Sequence, residues 1–381
     1  MEFSWSETER ALFDRVANFA KDSLCDDTAQ RDRDGNFSPE LWQRCAREGV
    51  IGWSTPQSLG GAGHSPLSCA YLLEALGYGC DDCGLLFALG TQMWGVQSCL
   101  LQFATDEQQQ RYIPAMLAGN AIGAYAINEP DSGSDAYALQ TTAVEDGACY
   151  ELNGTKTLIS MSAIADFAIV FAVTSPTAGR WGLSAFIVET DTPGFKACEA
   201  HDLMGLRTTP VGDITLEACR VPKSAMLGKP GAGASIFGYS QSWERSLMLA
   251  PHVGTMQRLL DQSIIHCKST RRAGKPIGVN QAISHRLADM RIRLETSRLL
   301  LYKTAWLLDQ RKQNLMEAAI SKTHISEAFV KSSTDAIALF GGTGYLAQSG
   351  VERNLRDAIG GTIYGGTVDV QRNIIAGLLG L

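Results

Sequence analysis

Apolar positions in the first third of the chain recur at helical spacing. Leu12, Val16, Phe19 and Ala20 share one face, and Pro39 stands just inside a helix start at Ser38. Helical patterning resumes over Leu72–Leu76, Leu85–Leu89 and Leu100–Phe103, and Thr105-Asp-Glu-Gln108 opens a further short helix. Residues 55–65 (TPQSLGGAGHS) form a glycine-rich loop between helices. The pattern changes after Gly119. Segments 148–153, 166–172, 183–189 and 211–217 are short, rich in strand formers and separated by turn residues. Asn153-Gly154 predicts a tight hairpin turn, since both residues tolerate positive φ. From Ile236 the helical period returns: Leu287, Met290, Leu294 and Leu301 share one face, and Ile325, Phe329, Ala336 and Phe340 another. Arg291, Arg293 and Lys303 flank these stripes, as in long bundle helices. The expected order is helix, sheet, helix, an α+β chain divided at residues 1–118, 119–228 and 229–381, with Gly231-Ala-Gly-Ala234 as the interdomain linker.

Composition then removes classes. The 381 residues carry a net charge of −7, against the basic stripe that nucleic-acid binding requires. No apolar run is expected to reach the ~20 residues that span a bilayer. Residues 1–10 are net acidic and lack an apolar run, unlike a signal or transit peptide, so a cytoplasmic location is expected. Ten cysteines are dispersed along the chain and read as reduced, mostly buried thiols. Cys80 and Cys83 form a lone CxxC with no second pair or histidines at ligand spacing, so no metal site is expected. Walker, GxGxxG, HExxH and GxSxG motifs are all missing.

Three segments carry candidate chemistry. Tyr125–Asp135 (YAINEPDSGSD) is a donor-rich loop suited to an anionic or carbonyl-bearing ligand, or else a plain Asx/Ser turn. Gly341–Tyr345 follows an apolar helix, where glycines commonly serve as a C-cap. In Ile363–Ala376 a Gly-Gly-Thr precedes a helix, an arrangement that holds phosphate or flavin oxygens or simply caps the helix. Taken in this order and spacing, together with Asn153–Lys156, Gly205–Arg207 and Gly274–Gln281, they resemble the acyl-CoA dehydrogenase family across essentially the whole chain. That resemblance implies an N-terminal helical domain, a middle β-barrel or sandwich domain and a C-terminal four-helix bundle. It also implies FAD between the last two domains and a homotetramer or homodimer. Carried over by position, the flavin contacts fall on Tyr125, Asn128, Ser134, Leu158, Ser160, Arg271, Gln281, Gly341, Gly342, Thr367 and Asp369.

The family's chemistry removes an α-proton from an acyl thioester while a β-hydrogen leaves as hydride to flavin N5. A carboxylate must take that proton. Most members supply it from a terminal Y-E-G-T, but this chain reads Tyr364-Gly365-Gly366-Thr367. Glu244, in the segment SWERS, lies where isovaleryl-type members carry their base, and is expected to open the first long C-terminal helix in a buried setting. Trp243-Glu244-Arg245 and the helix that follows are similar to the prolyl-carrier-protein dehydrogenases and oxidases, those of anatoxin-type biosynthesis in particular. The resemblance implies a peptidyl or acyl carrier protein as partner, with Arg245, Tyr364 and Gly365 lining the substrate. Arg207, Arg245 and Arg353 are candidates for a basic spot that receives the acidic carrier. A short or branched-chain acyl-CoA dehydrogenase using the same Glu244 is the alternative. A base-free flavoprotein lacks a use for Glu244, and the DNA-associated branch lacks positive charge. Three departures touch the cofactor: Leu158 replaces the usual aromatic, Thr270–Ala273 replaces R-x-x-F, and Ala338 replaces a glutamine, so that Arg271 or Arg272 is expected to supply the missing cation.

Overall fold

The computed structural model describes residues 4–381. Seven helices come first: α1 Glu7–Ser23, α2 Thr28–Asp34, α3 Pro39–Arg47, α4 Pro66–Gly79, α5 Cys83–Gly90, α6 Ser98–Phe103 and α7 Asp106–Leu117. Their starts follow local chemistry. Ser6 and Glu9 close a capping box on α1, Thr105 and Gln108 close one on α7, and Pro39 and Pro66 stand in the first turn behind capping serines. The apolar stretches around Leu85 and Leu100 belong to one continuous helix, because a π-helical segment, Thr91–Gln97, joins α5 to α6. On length and composition this Cys83–Phe103 unit is apolar enough to cross a membrane, against the expectation of no such run. However, 89% of its apolar window is buried inside the protein, which makes it a core helix.

Eight strands follow: β1 Gly123–Ala126, β2 Thr142–Asp146, β3 Cys149–Ser160, β4 Phe167–Val173, β5 Leu183–Glu189, β6 Phe195–Ala197, β7 Val211–Pro222 and β8 Met226–Leu227. They pair in the order β6-β7-β3-β2-β4-β5-β8, and β1 joins β4 in parallel with Tyr125 opposite Ile169. Period-2 alternation divides β4 between two cores: Phe167, Ile169 and Phe171 pack on one side, and Ala168, Val170 and Ala172 on the other. The hairpin expected at Asn153-Gly154 is not there. β3 runs straight through both residues, and the turn into it is Gly147-Ala148, between paired Asp146 and Cys149. Gly154 sits at a register shift with φ +153, and a Cβ there would lie 2.4 Å from Thr141 Oγ1. Asn153 Oδ1 accepts from the Ala218 amide of the facing strand at 2.7 Å. The bulge itself is on β7, where Glu217 and Ala218 oppose the single Asn153 and Ala218 takes the left-handed φ of +47.

The C-terminal part consists of α8 Gly233–Leu247, α9 Ala250–Ser269, α10 Gln281–Asp309, α11 Leu315–Phe340, α12 Val351–Gly361 and α13 Val368–Leu378. A short hairpin, β9 Arg271–Arg272 with β10 Lys275–Pro276, projects between α9 and α10. Helix α9 lies against α4 at backbone contact: a Cβ on Gly254 would stand 1.9 Å from the Glu74 carbonyl oxygen, and one on Gly77 2.0 Å from that of Pro251. One apolar core accordingly spans the N-terminal and C-terminal helices. In the segment expected as the interdomain linker, the Gly231 amide donates to Ser184 Oγ at 3.0 Å.

Charge joins all three parts. Asp82 of the α5 start accepts from Arg31 and from the Thr208 hydroxyl. Asp357 of α12 accepts from the Leu206 amide at 2.7 Å, Arg356 pairs with Asp32 at 2.6 Å, and Arg353 with Asp81 at 2.7 Å. A second buried pair holds the middle part itself. Lys156 Nζ stands 2.7 Å from Glu129 Oε1, and the same carboxylate accepts from the amides of Gln140 and Thr141. Burial raises the Glu129 pKa, but the Lys156 charge and these hydrogen bonds reverse that and leave it lowered; burial takes Lys156 down to about 8. Lys156→Ala should cost ~3–5 kcal/mol in urea unfolding, because it strands Glu129 without its cation. A loss below ~1 kcal/mol would show that the pair is not structural.

Candidate active site

Glu244 does not open a helix. It lies in the last turn of α8, three residues before that helix ends at Leu247, and after Met248-Leu249 the chain restarts as α9 with Pro251 in its first turn. A carboxylate near a helix C-terminus meets the negative end of the macrodipole, which adds to the cost of its setting. Trp243 beside it stacks on Trp94 of the π-helical segment at 5.6 Å, and Leu247 is fully buried. The residue keeps some exposure, although its carboxylate is enclosed by protein. Burial raises its pKa, opposed by the charge of Arg245, the amide of Gln241 and the charge of Lys322.

Opposite this carboxylate runs the turn between α12 and α13. Gly365 has φ +65 and Gly366 φ +85, conformations that L side chains rarely adopt. A Cβ built on Gly365 would meet Glu244 Oε1 at 3.6 Å and its Cδ at 3.8 Å. The space into which a side chain at 365 would point is thus next to the Glu244 carboxylate. Gln371, fully buried, donates from Nε2 to the carbonyls of both Gly365 and Gly366 at 3.1 Å and fixes the turn. Tyr364 anchors the other side: its hydroxyl lies 3.0 Å from His252 Nε2 and its ring 4.5 Å from Phe87. Burial, with Lys322 nearby, takes His252 down to about 3, so its ring is neutral. Arg245 reaches towards Gly366, with Nη2 at 3.9 Å from the Cβ position there, and its Nε is buried without a hydrogen-bond partner among the described residues.

The remaining candidates form two groups. Asn128 and Leu158 come together where the Thr157 amide donates to the Asn128 carbonyl at 2.9 Å. Leu158 has φ +54, its amide bonds Asp213 at 3.1 Å, and its side chain stands 57% exposed. Ser160 is half-buried on the same strand, and Ser134 is exposed. Tyr125 turns inward and spends its hydroxyl on Ser240 Oγ of α8 at 2.7 Å. Thr367 caps α13, accepting from the Val370 amide at 3.2 Å, while Asp369 points to solvent. The second group lies at the far end of α9, whose 20 residues span ~30 Å. There Arg271 and Gln281 are exposed beside Gly341 and Gly342, the two stretches joined by His266 stacked on Phe340 at 4.2 Å. A single chain does not bring this group to Glu244. The expected basic spot also fails: Arg207 is spent on the Asp32 and Arg33 carbonyls and Asp202, Arg353 on Asp81, and Arg245 is buried among site residues.

The chain matches three family models, the acyl-CoA dehydrogenase N-terminal domain over residues 6–120, the middle domain over 124–219 and the C-terminal domain over 231–379. It belongs to the acyl-CoA dehydrogenase family. It is 39% identical over 378 residues to an L-prolyl-[peptidyl-carrier protein] dehydrogenase of Pseudomonas fluorescens, covering 99% of both chains. The crystal structure of the prolyl acyl carrier protein oxidase AnaB superposes with TM-score 0.98 at 41% identity, over 99% of this chain and 100% of that one. The structure of PigA with FAD and proline gives TM-score 0.97 at 36% identity, covering all of both chains.

Sequence reading passed over two residues of this acyl-CoA dehydrogenase site. Lys322 is 2% exposed and stands within the electrostatic reach of Glu244. The available signal is its register, since Lys322 shares a helical face with Ile325, Phe329 and Ala336. Gln371 had none beyond its place in the terminal segment. Gly365→Ala should fold and lose ~1–2 kcal/mol in urea unfolding, the cost of a Cβ at positive φ, because its contacts with Glu244 are ordinary ones. An unchanged midpoint would mean that the turn relaxes to negative φ.

Proposed function

We propose that this chain oxidises an L-prolyl thioester carried on the phosphopantetheine arm of a peptidyl carrier protein, with Glu244 as the general base. The observation that carries this reading is the placement of the Glu244 carboxylate 3.6 Å from the empty Cβ position of Gly365. A base delivered from α8 replaces one that the terminal turn does not carry. The named relatives supply the substrate class, a prolyl group on a carrier protein.

The residues fit FAD. Leu158 presents an apolar, outward-turned side chain at a twisted strand, Asn128 and Ser160 flank it, and the buried Ser162 Oγ and Gln371 Oε1 have no partner among the described residues. Asn128, Ser134, Leu158, Ser160 and Thr367 would hold the flavin. Arg271, Gln281, Gly341 and Gly342 would serve the cofactor of a neighbouring subunit in a homotetramer. Tyr345 and Leu346, 82% and 48% exposed beside these glycines, support such an association. FAD supplies the hydride acceptor when bound.

The thioester acidifies the proline α-carbon, and Glu244 takes that proton. Gly365 and Gly366 leave room for the ring, and Tyr364 with neutral His252 closes the pocket wall without adding charge. The second hydrogen leaves with its electron pair, giving a dehydroprolyl thioester. Such a tethered substrate fits the assembly of a secondary metabolite of the anatoxin type, in the cytoplasm.

A short or branched-chain acyl-CoA dehydrogenase would use the same Glu244 and remains the second reading. Anaerobic mixing of the holoprotein with prolyl-carrier protein and with isovaleryl-CoA decides between them: bleaching of the flavin by the prolyl thioester is expected, and bleaching by the CoA ester alone overturns it. Glu244→Gln should slow flavin reduction at least ~100-fold, the contribution of a positioned base, and a near-parental rate would remove Glu244 from the role. Arg271→Ala should purify with most of its FAD lost, whereas full flavin absorbance would show that the diphosphate is held elsewhere.

A further inference from the structure

Lys322 is a charged group for which the fold offers no bond. It lies on the core face of α11, 2% exposed, and its Nζ is buried without a hydrogen-bond partner among the described residues. An ammonium without a partner is expensive to bury, and burial takes Lys322 down to about 8. Two carboxylates act on it, Glu244 and Glu327. Glu327 is half exposed and already paired with Arg372. Asn314, at the start of α11, bonds Ser246 Oγ of α8 at 2.9 Å, and Phe329, seven residues beyond Lys322 on the same face, packs on the His252 ring at 4.9 Å. This stretch of α11 therefore lies along the α8–α9 junction that carries Glu244. The groups that act on Glu244 are Gln241 and Arg245 of its own helix, Lys322 of α11, Cys99 of α6, Tyr125 of β1 and Tyr364 of the terminal turn. Two of these are cations. Arg245 follows Glu244 directly along α8 and reaches towards Gly366.

We propose that Lys322 is the positioning residue of the base: its ammonium, brought in by a different helix, holds the Glu244 carboxylate ionised. The inference rests on the reading of Glu244 as the base and goes beyond it by naming what keeps that base competent. A nearby positive charge favours the carboxylate form, so removing it moves the titration of Glu244 to higher pH. When Glu244 has taken a proton, Lys322 loses its counter-charge, and this favours release of that proton before the next turnover.

The test compares the FAD-loaded parent with Lys322→Met and Lys322→Arg. The protonated-carboxyl infrared band missing from Glu244→Gln is followed against pH in each background, without substrate. In Lys322→Met its midpoint should move up by about one pH unit, and Lys322→Arg should restore it. An unmoved midpoint overturns the proposal. Flavin reduction by the thioester that bleaches the parent should fall about tenfold at neutral pH in Lys322→Met and recover as pH rises. A loss of equal size at every pH would mark a structural role and also overturn it. An unpartnered ammonium adds no bond to the fold, so Lys322→Met should melt at or above the parent, and failure to fold refutes the inference. The infrared titration needs no substrate, so failure of the prolyl assignment leaves this result standing, and failure here leaves prolyl oxidation untouched.

Discussion

The arrangement depends on a knot of charge where three parts of the chain meet. Asp32 comes from α2, Asp81 and Asp82 from the loop between α4 and α5, Leu206 and Thr208 from the loop before β7, and Arg353, Arg356 and Asp357 from α12. Asp357 is fully enclosed, and burial raises it to about 7 despite the Leu206 amide and the Arg353 charge. Such a knot stabilises less than an apolar contact of the same size, because each ion must be taken from water. What it provides is direction. Helix α12 cannot slide without breaking several bonds at once, and the Tyr364–Gly366 turn is its continuation.

The site itself is a balance between opposing terms. Burial and the end of α8 favour the neutral form of Glu244, while Arg245 and Lys322 favour the charged one. A base works best when its two forms are close in free energy, so the role proposed for Glu244 depends on both sets of terms. The missing side chain at Gly365 belongs to the same balance. A second carboxylate at that position would face Glu244 across a few ångströms, and like charges so close cannot both ionise.

Most of the architecture was legible in the sequence because helices and strands write their period into it. The helix starts at Ser38 and Thr105 and the stripes of α10 and α11 led directly to observed elements. Asn153-Gly154 misled for a physical reason: Asn153 stays in the strand and bonds the Ala218 amide, and the left-handed residue is Ala218 of the facing strand, which no local pattern reveals. Glu244 was legible through the loss of a carboxylate at 365, but its place at the end of α8 was not. The break at Met248-Leu249 is written only in Pro251, one residue into the next helix. The bonds that consume Arg207 and Arg353 come from distant carbonyls and aspartates, which no local pattern reveals.

The π-helical segment Thr91–Gln97 has a consequence of its own. It places Trp94 against Trp243 and Gly95 against the ring of Tyr125, and then passes the chain to α6. An ordinary helix advances ~100° per residue, so shortening the segment by one residue would rotate everything beyond it by that angle. Cys99 and Leu100, both fully buried, would swing out of the core. The segment therefore acts as a phase adjuster between two halves of one rod. What it constrains is its length, so substitutions there are a lesser threat to the molecule than a single deletion.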